Sequence, residues 1–269
     1  MNVDSMISRK LPIGIQSFEY LRKEGYLYVD KTELVYRLVK LGKPYFLSRP
    51  RRFGKSLLLS TLEAYFLGKK ELFEGLAIGE LEQDWFTYPV LHLSLNAEKY
   101  DSKERLVNLL ESQLQSWEST YGVTEINRSY SIRFMTVIRR AYEQTGRRVV
   151  VLIDEYDKPM LRSFDNPELQ HEFRETLMAF YTVLKDADAY LQFVFITGVT
   201  KFAQMGIFSN LNQLQDISLH PAYTTLCGMT RAEIEAVFAP ELQSLACANG
   251  LTYEETMEKL TLRYDGYHF

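Results

Sequence analysis

An α/β fold built on a mainly parallel sheet is predicted by three features of the chain. Short runs of β-branched and aromatic residues alternate with longer stretches of helical periodicity, the pattern of strands joined by helical crossovers. The run Val149-Val150-Val151-Leu152-Ile153 is apolar throughout, as a strand covered on both faces must be. With 46% hydrophobic residues in 269, the chain can bury one large core, or a large domain with a smaller one appended.

Taken in order, residues 11–40 hold Gly25-Tyr26-Leu27-Tyr28-Val29-Asp30-Lys31-Thr32 and then an amphipathic helix through Val39, with Thr32 expected as its N-cap. This segment either covers a nucleotide base or packs the edge of the sheet. Tyr45-Phe46-Leu47-Ser48 is the expected first strand. A helix from Lys55 to about Phe66 follows, with Leu58, Leu59, Leu62 and Phe66 on one face and an end near Gly68. Val90–Leu95 alternates as a second strand. Ser102–Tyr121 and Ile132–Tyr142 are amphipathic helices, and Val149–Asp154 is the third strand. Glu168–Lys185 is helical, Leu191–Thr197 is the fourth strand and Leu214–Leu219 the fifth. From about Thr230 short helices (Arg231–Phe238, Tyr253–Tyr264) suggest the start of a small helical subdomain. The expected division is 1–228 for the α/β domain and 229–269 for the helical part.

Composition narrows the function. The net charge of −4 supplies no global attraction for nucleic acid or anionic membranes. No apolar run reaches the roughly 18 residues needed to cross a bilayer, and the N-terminus lacks a signal-peptide core, so a cytoplasmic location is expected. Cys227 and Cys247 match no metal-ligand spacing and read as ordinary thiols of a reducing compartment. His92, His171, His220 and His268 form neither a zinc pattern nor a nucleophile–base pair, and read as structural or solvated.

The chemistry concentrates in two places. Gly54-Lys55-Ser56 stands between the first strand and the helix that follows it, the layout of a loop whose backbone N–H groups wrap phosphates. Lys55 would neutralise the β- and γ-phosphates, and the Ser56 hydroxyl would hold Mg²⁺. Far downstream, the third strand runs into Asp154-Glu155, and a carboxylate at a buried strand end suits water-mediated Mg²⁺ binding. A solvated loop or a helix cap is the plainer reading of those two acids. Arg51 and Arg52 add positive charge beside the phosphates; they face the γ-phosphate, a neighbouring subunit, a nucleic-acid backbone or only solvent. Asp157 and Lys158 form a local ion pair or extend the rim of the site, the ion pair being favoured.

The stretch Leu47-Ser48-Arg49-Pro50-Arg51-Arg52-Phe53-Gly54-Lys55-Ser56 resembles the AAA-ATPase-like family of bacterial proteins. Further matches are Tyr28–Thr32, Tyr65–Lys70, Leu152-Ile153-Asp154-Glu155-Tyr156-Asp157-Lys158-Pro159, Ile196–Phe202 and Tyr264–Phe269. The resemblance implies a P-loop NTPase of the additional-strand type with ATP and Mg²⁺ as cofactors. Residues Arg51 to Leu57, Phe53 and Gly54 among them, would line the nucleotide. Glu155 would be the general base that polarises the attacking water, and Thr197, ending the fourth strand, a polar sensor or a satisfied strand-end threonine. Lys201 is either a second cation in cis or solvated, and Asn210 and Asn212 build the turn before the fifth strand. Arg49 stands where the general pattern G-x-x-x-x-G-K-[ST] has its first glycine, a departure that the family tolerates by implication; the amides of Arg52 to Ser56 remain available as an anion nest.

The family often carries a C-terminal nuclease-like domain of the PD-(D/E)XK type, and no such region precedes Phe269. A fragment and a short family member are both open, and nuclease activity is not claimed. The leading reading is an ATP-binding, Mg²⁺-dependent ATPase whose hydrolysis drives a conformational switch. The alternative is a nucleotide-gated regulatory module with little turnover, acting on a nuclease-like effector domain or a protein partner, with an oligomer compatible with either. A nucleic-acid-processing enzyme using Arg49, Arg51 and Arg52 is a third reading, opposed by the acidic net charge.

Overall fold

The computed structural model describes residues 9–42, 44–124, 128–201, 207 and 213–264. Strands β1 (Pro44–Ser48), β2 (Val90–Ser94), β3 (Val149–Asp154), β4 (Leu191–Gly198) and β5 (Gln215–Asp216) form one sheet in the order β2-β3-β4-β1-β5. Every pairing is parallel. The α/β class and the parallel five-stranded sheet thus agree with expectation, and β4 lies between β1 and β3 as the strand inserted in the sheet. Register aligns the strand ends: Ser48 pairs with Gly198, and Ser94 with Asp154. Residues following β1, β3 and β4 are therefore delivered to a single edge, the carboxyl end of the sheet, where open α/β sheets bind ligands.

Alternation along the strands splits the core in two. Phe46, Val151, Ile153, Val194 and Ile196 point to one face and pack with α5 (Lys103–Thr120), α6 (Tyr130–Thr145) and α8 (Pro167–Asp186). Tyr45, Leu47, Val150, Leu152, Phe193 and Phe195 point to the other, against α1 (Phe18–Lys23), α2 (Thr32–Leu41), α3 (Lys55–Phe66) and α4 (Ala77–Leu81). Helices on both faces explain why β3 is buried along its whole length and carries no polar alternation.

Three local expectations are corrected. The fifth strand is Gln215–Asp216 and not Leu214–Leu219, because Ser218 Oγ accepts the Ser48 N–H at 2.8 Å, where a continuing strand would offer a carbonyl. Thr32 is the first residue of α2 and not its N-cap. The N-cap position is Lys31, which makes no side-chain cap bond; just before it, Asp30 Oδ1 accepts the Thr32 N–H at 2.8 Å while Oδ2 accepts the Ala77 N–H at 2.8 Å, tying α2 to α4. Asp157 and Lys158 do not pair with each other: Asp157 accepts the amides of Val199 and Thr200, and Lys158 donates to Asn96. Short α1, α4 and α7 (Lys158–Arg162) were not anticipated; two turns or fewer leave too little periodicity to read.

Beyond β5 the chain forms α9 (Arg231–Val237), α10 (Ala239–Asn249) and α11 (Tyr253–Tyr264). A capping box between Thr230 and Glu233 starts α9. These helices are fastened to the N-terminal segment through the ion pairs Lys31–Glu233 and Arg9–Glu241, and Arg9 also donates to the Val237 carbonyl at 2.8 Å.

Candidate nucleotide site

The loop from Arg49 to Gly54 turns the chain from β1 into α3, using left-handed backbone at Arg52 (φ 68°) and at Gly54 (φ 84°). Gly54 supplies the N-cap position of α3 without a side chain, and the first turn of that helix carries no acidic residue. Its N-terminal amides are thus left to a ligand, with the helix dipole favouring an anion there. Arg51, Arg52 and Gly54 are exposed, while Phe53, Ser56 and Leu57 are half-buried.

Lys55 is buried, and its Nζ donates to the carbonyls of Arg49 (2.9 Å) and Pro50 (3.0 Å), bending back over its own loop. Burial pushes the ammonium pKa down, opposed by the charges of Glu155 and Asp154. These bonds are to neutral acceptors, so an incoming phosphate oxygen can replace them with a charge-assisted one.

Arg49 proves to be a structural residue. Its backbone φ is not positive, so the first position of the loop does not need glycine. Its side chain is 1% exposed and donates to the carbonyls of Ser48 (3.0 Å) and Ser218 (2.6 Å), with longer contacts to those of Tyr223 (3.5 Å) and Thr224 (3.4 Å). The guanidinium fork thereby ties the loop to the segment after β5. Gly228 donates to the Phe53 carbonyl at 3.1 Å and closes the same contact further along. A nucleic-acid contact through Arg49 is excluded by this burial.

At the end of β3, Asp154 is 3% exposed and accepts two hydroxyls: Ser56 Oγ on Oδ2 at 2.6 Å and Thr197 Oγ1 on Oδ1 at 2.7 Å. The loop, β3 and β4 therefore meet at one carboxylate, although β4 separates the other two strands. Ser56 and Asp154 together offer hard oxygen donors, the type Mg²⁺ takes, and it commonly uses one or two protein groups with waters and phosphates for the rest. Among the described residues there is no group of three or more His, Cys, Asp or Glu able to hold a metal ion. Glu155 follows in left-handed backbone (φ 51°), half-buried, and its carboxylate makes no hydrogen bond among the described residues. A non-glycine residue in that region is strained and concentrates at working sites.

Asp157 is wholly buried, and its Oδ2 accepts the N–H groups of Val199 (3.0 Å) and Thr200 (2.6 Å). Lys158 reaches instead to the carbonyl and side-chain oxygen of Asn96. The local ion pair fails because the turn after β4 offers Asp157 two fixed amides in a buried site, whereas Lys158 stays near solvent.

Lys201 is exposed. His92 meets Glu63 at 3.0 Å, and His220 caps a short 3-10 turn by accepting the Ala222 N–H at 3.2 Å. His268, Asn210 and Asn212 lie outside the described residues. Phe18 and Tyr28 of the N-terminal segment stack edge to face, 5.3 Å apart, within the α3-side core, as a packing element would. Sequence reasoning assigns Asp157 to the wrong partner and misses the roles of Tyr156 and Ser218. Asp157 carried a signal, a third acid after the strand, but its partners arrive only with β4.

No described helix is long and apolar enough to cross a membrane. The chain is 44% identical over 242 residues to a protein described as an uncharacterized protein in the vnfD 5′ region of Azotobacter chroococcum mcd 1; the match covers 89% of this chain and 47% of that protein. The chain thus spans about half the length of this relative. No solved structure matches. The family model described as Predicted AAA-ATPase matches residues 12–208, across the phosphate-type loop, both carboxylates and the β4 threonine, and the chain belongs to this AAA-ATPase-like family.

Proposed function

We propose that this chain is a Mg²⁺-dependent ATPase that couples hydrolysis to a conformational switch. The observation that carries the reading is the junction at Asp154, where the loop hydroxyl of Ser56 lies 2.6 Å from the carboxylate at the end of β3. ATP phosphates would take the amides of Arg52 to Ser56 and the Lys55 ammonium, with Phe53 and Leu57 beside them. Ser56 and Asp154 would hold Mg²⁺, which when bound neutralises charge on the β- and γ-oxygens. Glu155, half-buried and without a hydrogen bond among the described residues, is suited to orient and deprotonate a water. Thr197 holds Asp154 in place from the opposite side, and in this reading it would serve as the polar sensor at the γ-phosphate.

The end of the N-terminal segment at Lys31, joined to α9 by Lys31–Glu233, is proposed to cover the base. The residues after 228 are read as a helical subdomain, and the output of the switch is placed in an effector region or a protein partner. The test is ATP binding and phosphate release by the purified chain with and without Mg²⁺. Lys55→Ala is expected to lose both. Glu155→Gln is expected to bind ATP and to turn over far more slowly; equal turnover with the wild type would remove Glu155 from the chemistry. Binding without turnover in the wild type would favour a nucleotide-gated module.

A further inference from the structure

We propose that Asp157 is a positioning residue for hydrolysis, clamping the turn after β4 to the turn after β3 so that Glu155 and Thr197 keep a fixed relation to the phosphate loop. The proposal rests on the ATPase reading above. A carboxylate at 0% exposure is costly unless its oxygens are well bonded. Asp157 is bonded on one side only. Oδ2 takes the amides of Val199 and Thr200, while Oδ1 is buried without a hydrogen-bond partner among the described residues. Packing alone would be served better by an apolar side chain, so the feature worth its cost is the grip on those two amides.

The grip is reinforced from the neighbouring residue. Tyr156 N–H donates to the Thr197 carbonyl at 3.0 Å, and the Tyr156 hydroxyl donates to the Thr200 carbonyl at 3.1 Å. Asp154 holds the same segment from the other side through the Thr197 hydroxyl. Asp154, Tyr156 and Asp157 are thus all bonded to residues 197–200, and Glu155, between them, is the one whose side chain makes no hydrogen bond among the described residues. Its left-handed backbone is imposed by neighbours bound on either side. The approach leaves no space for a side chain at Gly198: a Cβ there would lie 2.4 Å from Tyr156 Cε1 and 2.9 Å from Asp157 Oδ1. Any shift of the β4 turn is therefore passed to Glu155, and a misplacement on the order of 1 Å can cost about a hundredfold in rate.

The experiment compares Asp157→Ala, Asp157→Asn and Tyr156→Phe for ATP affinity, KM and kcat, alongside amide hydrogen exchange of segments 154–158 and 197–201 without nucleotide. Asp157→Ala should lower kcat about 10- to 100-fold while KM and ATP affinity stay within about threefold of wild type. Exchange in both segments should accelerate together. Asp157→Asn keeps an oxygen for the two amides and should recover most of kcat. Tyr156→Phe removes one bond of the same clamp and should cost about threefold in kcat, which decides the matter if Asp157→Ala does not fold.

An unchanged kcat in a folded Asp157→Ala or in Tyr156→Phe would overturn the proposal. So would a parallel loss of kcat and ATP affinity, which marks general damage, or an Asp157→Asn variant as slow as Asp157→Ala, which assigns the effect to charge. Turnover by the wild type is read first. Its absence sinks the ATPase reading and the catalytic role of Asp157 with it, and the exchange data then decide whether the clamp itself exists.

Discussion

Between α5 and α6, Arg133 is met by Glu118 at 2.7 Å and by Glu111 at 2.6 Å, whereas at the carboxyl edge of the sheet Lys55 and Asp154 are both buried and no ion pair joins them. The first cluster balances charge with charge. Its two carboxylates push the Arg133 pKa up, and nothing about it invites a further ligand. The second balances each charge with neutral dipoles: Lys55 with two carbonyls, Asp154 with two hydroxyls, Asp157 with two amides. Neutral partners can be exchanged for a phosphate or a cation, and ionic partners cannot be exchanged without stranding a charge. Arg49 is the intermediate case, a buried cation near Lys55 that several carbonyls fix permanently to the segment after β5.

Four substitutions test the difference between the two clusters. The largest effect is expected from Arg133→Ala, which strands the buried Glu118 carboxylate and should destabilise the fold by about 3–5 kcal/mol in denaturant titration, with the gain in stability on adding ATP left intact. A loss below about 1 kcal/mol would show that this pair is solvated after all. Next, Lys55→Met should leave the ligand-free protein within about 1 kcal/mol of wild type, because it removes a buried ammonium whose hydrogen bonds go only to neutral carbonyls. It should abolish ligand stabilisation, which in the wild type reaches about 2.7 kcal/mol at a hundred times Kd. Ligand stabilisation retained in the variant would remove Lys55 from the binding site.

Arg49→Gly sharpens the intermediate case. It restores the general loop pattern yet leaves the Ser48 and Ser218 carbonyls without their donor, and should cost about 2–3 kcal/mol of stability with no gain in nucleotide affinity. An improvement in affinity would return the position to a backbone role.

The smallest effect concerns Cys227, buried near Arg49 and Lys55, whose thiol is pushed up to about 12 chiefly by burial. A thiol kept protonated in the fold stabilises fully below its ordinary value of 9.0, and that contribution is lost as pH rises towards about 12. Compared with Cys227→Ala, the wild type should therefore lose relative stability across that alkaline window, while near neutral pH the difference between the two should not change with pH. In thiol labelling near pH 8, exposed Cys247 should react fast and Cys227 only through opening, more slowly still with ATP bound.

Much of this was legible in local pattern. Apolar Leu58, Leu59, Leu62 and Phe66 recur at helical spacing, so α3 was placed at Lys55–Phe66, and the unbroken apolar run of β3 was placed at Val149–Asp154. The two halves of the candidate site were read from residue type at a strand end and a helix start. The fifth strand was overextended because an apolar run does not reveal that Ser218 will take the Ser48 amide. Asp157 was given to its sequence neighbour because a nearby cation is the visible partner on paper.

The longer helices and the first four strands, the burial of β3 on both faces, and the side chains able to handle phosphate and metal are legible in the chain alone. Those properties follow from periodicity, propensity and side-chain chemistry over a few residues, and need no knowledge of distant contacts. Only the tertiary structure decided that Arg49 is a buried tie, that Ser56 and Thr197 converge on Asp154, and that Asp157 holds the turn after β4. Each of those depends on strands far apart in the chain being brought flush by parallel register, and hydrogen bonds across such distances leave no periodic trace in the sequence.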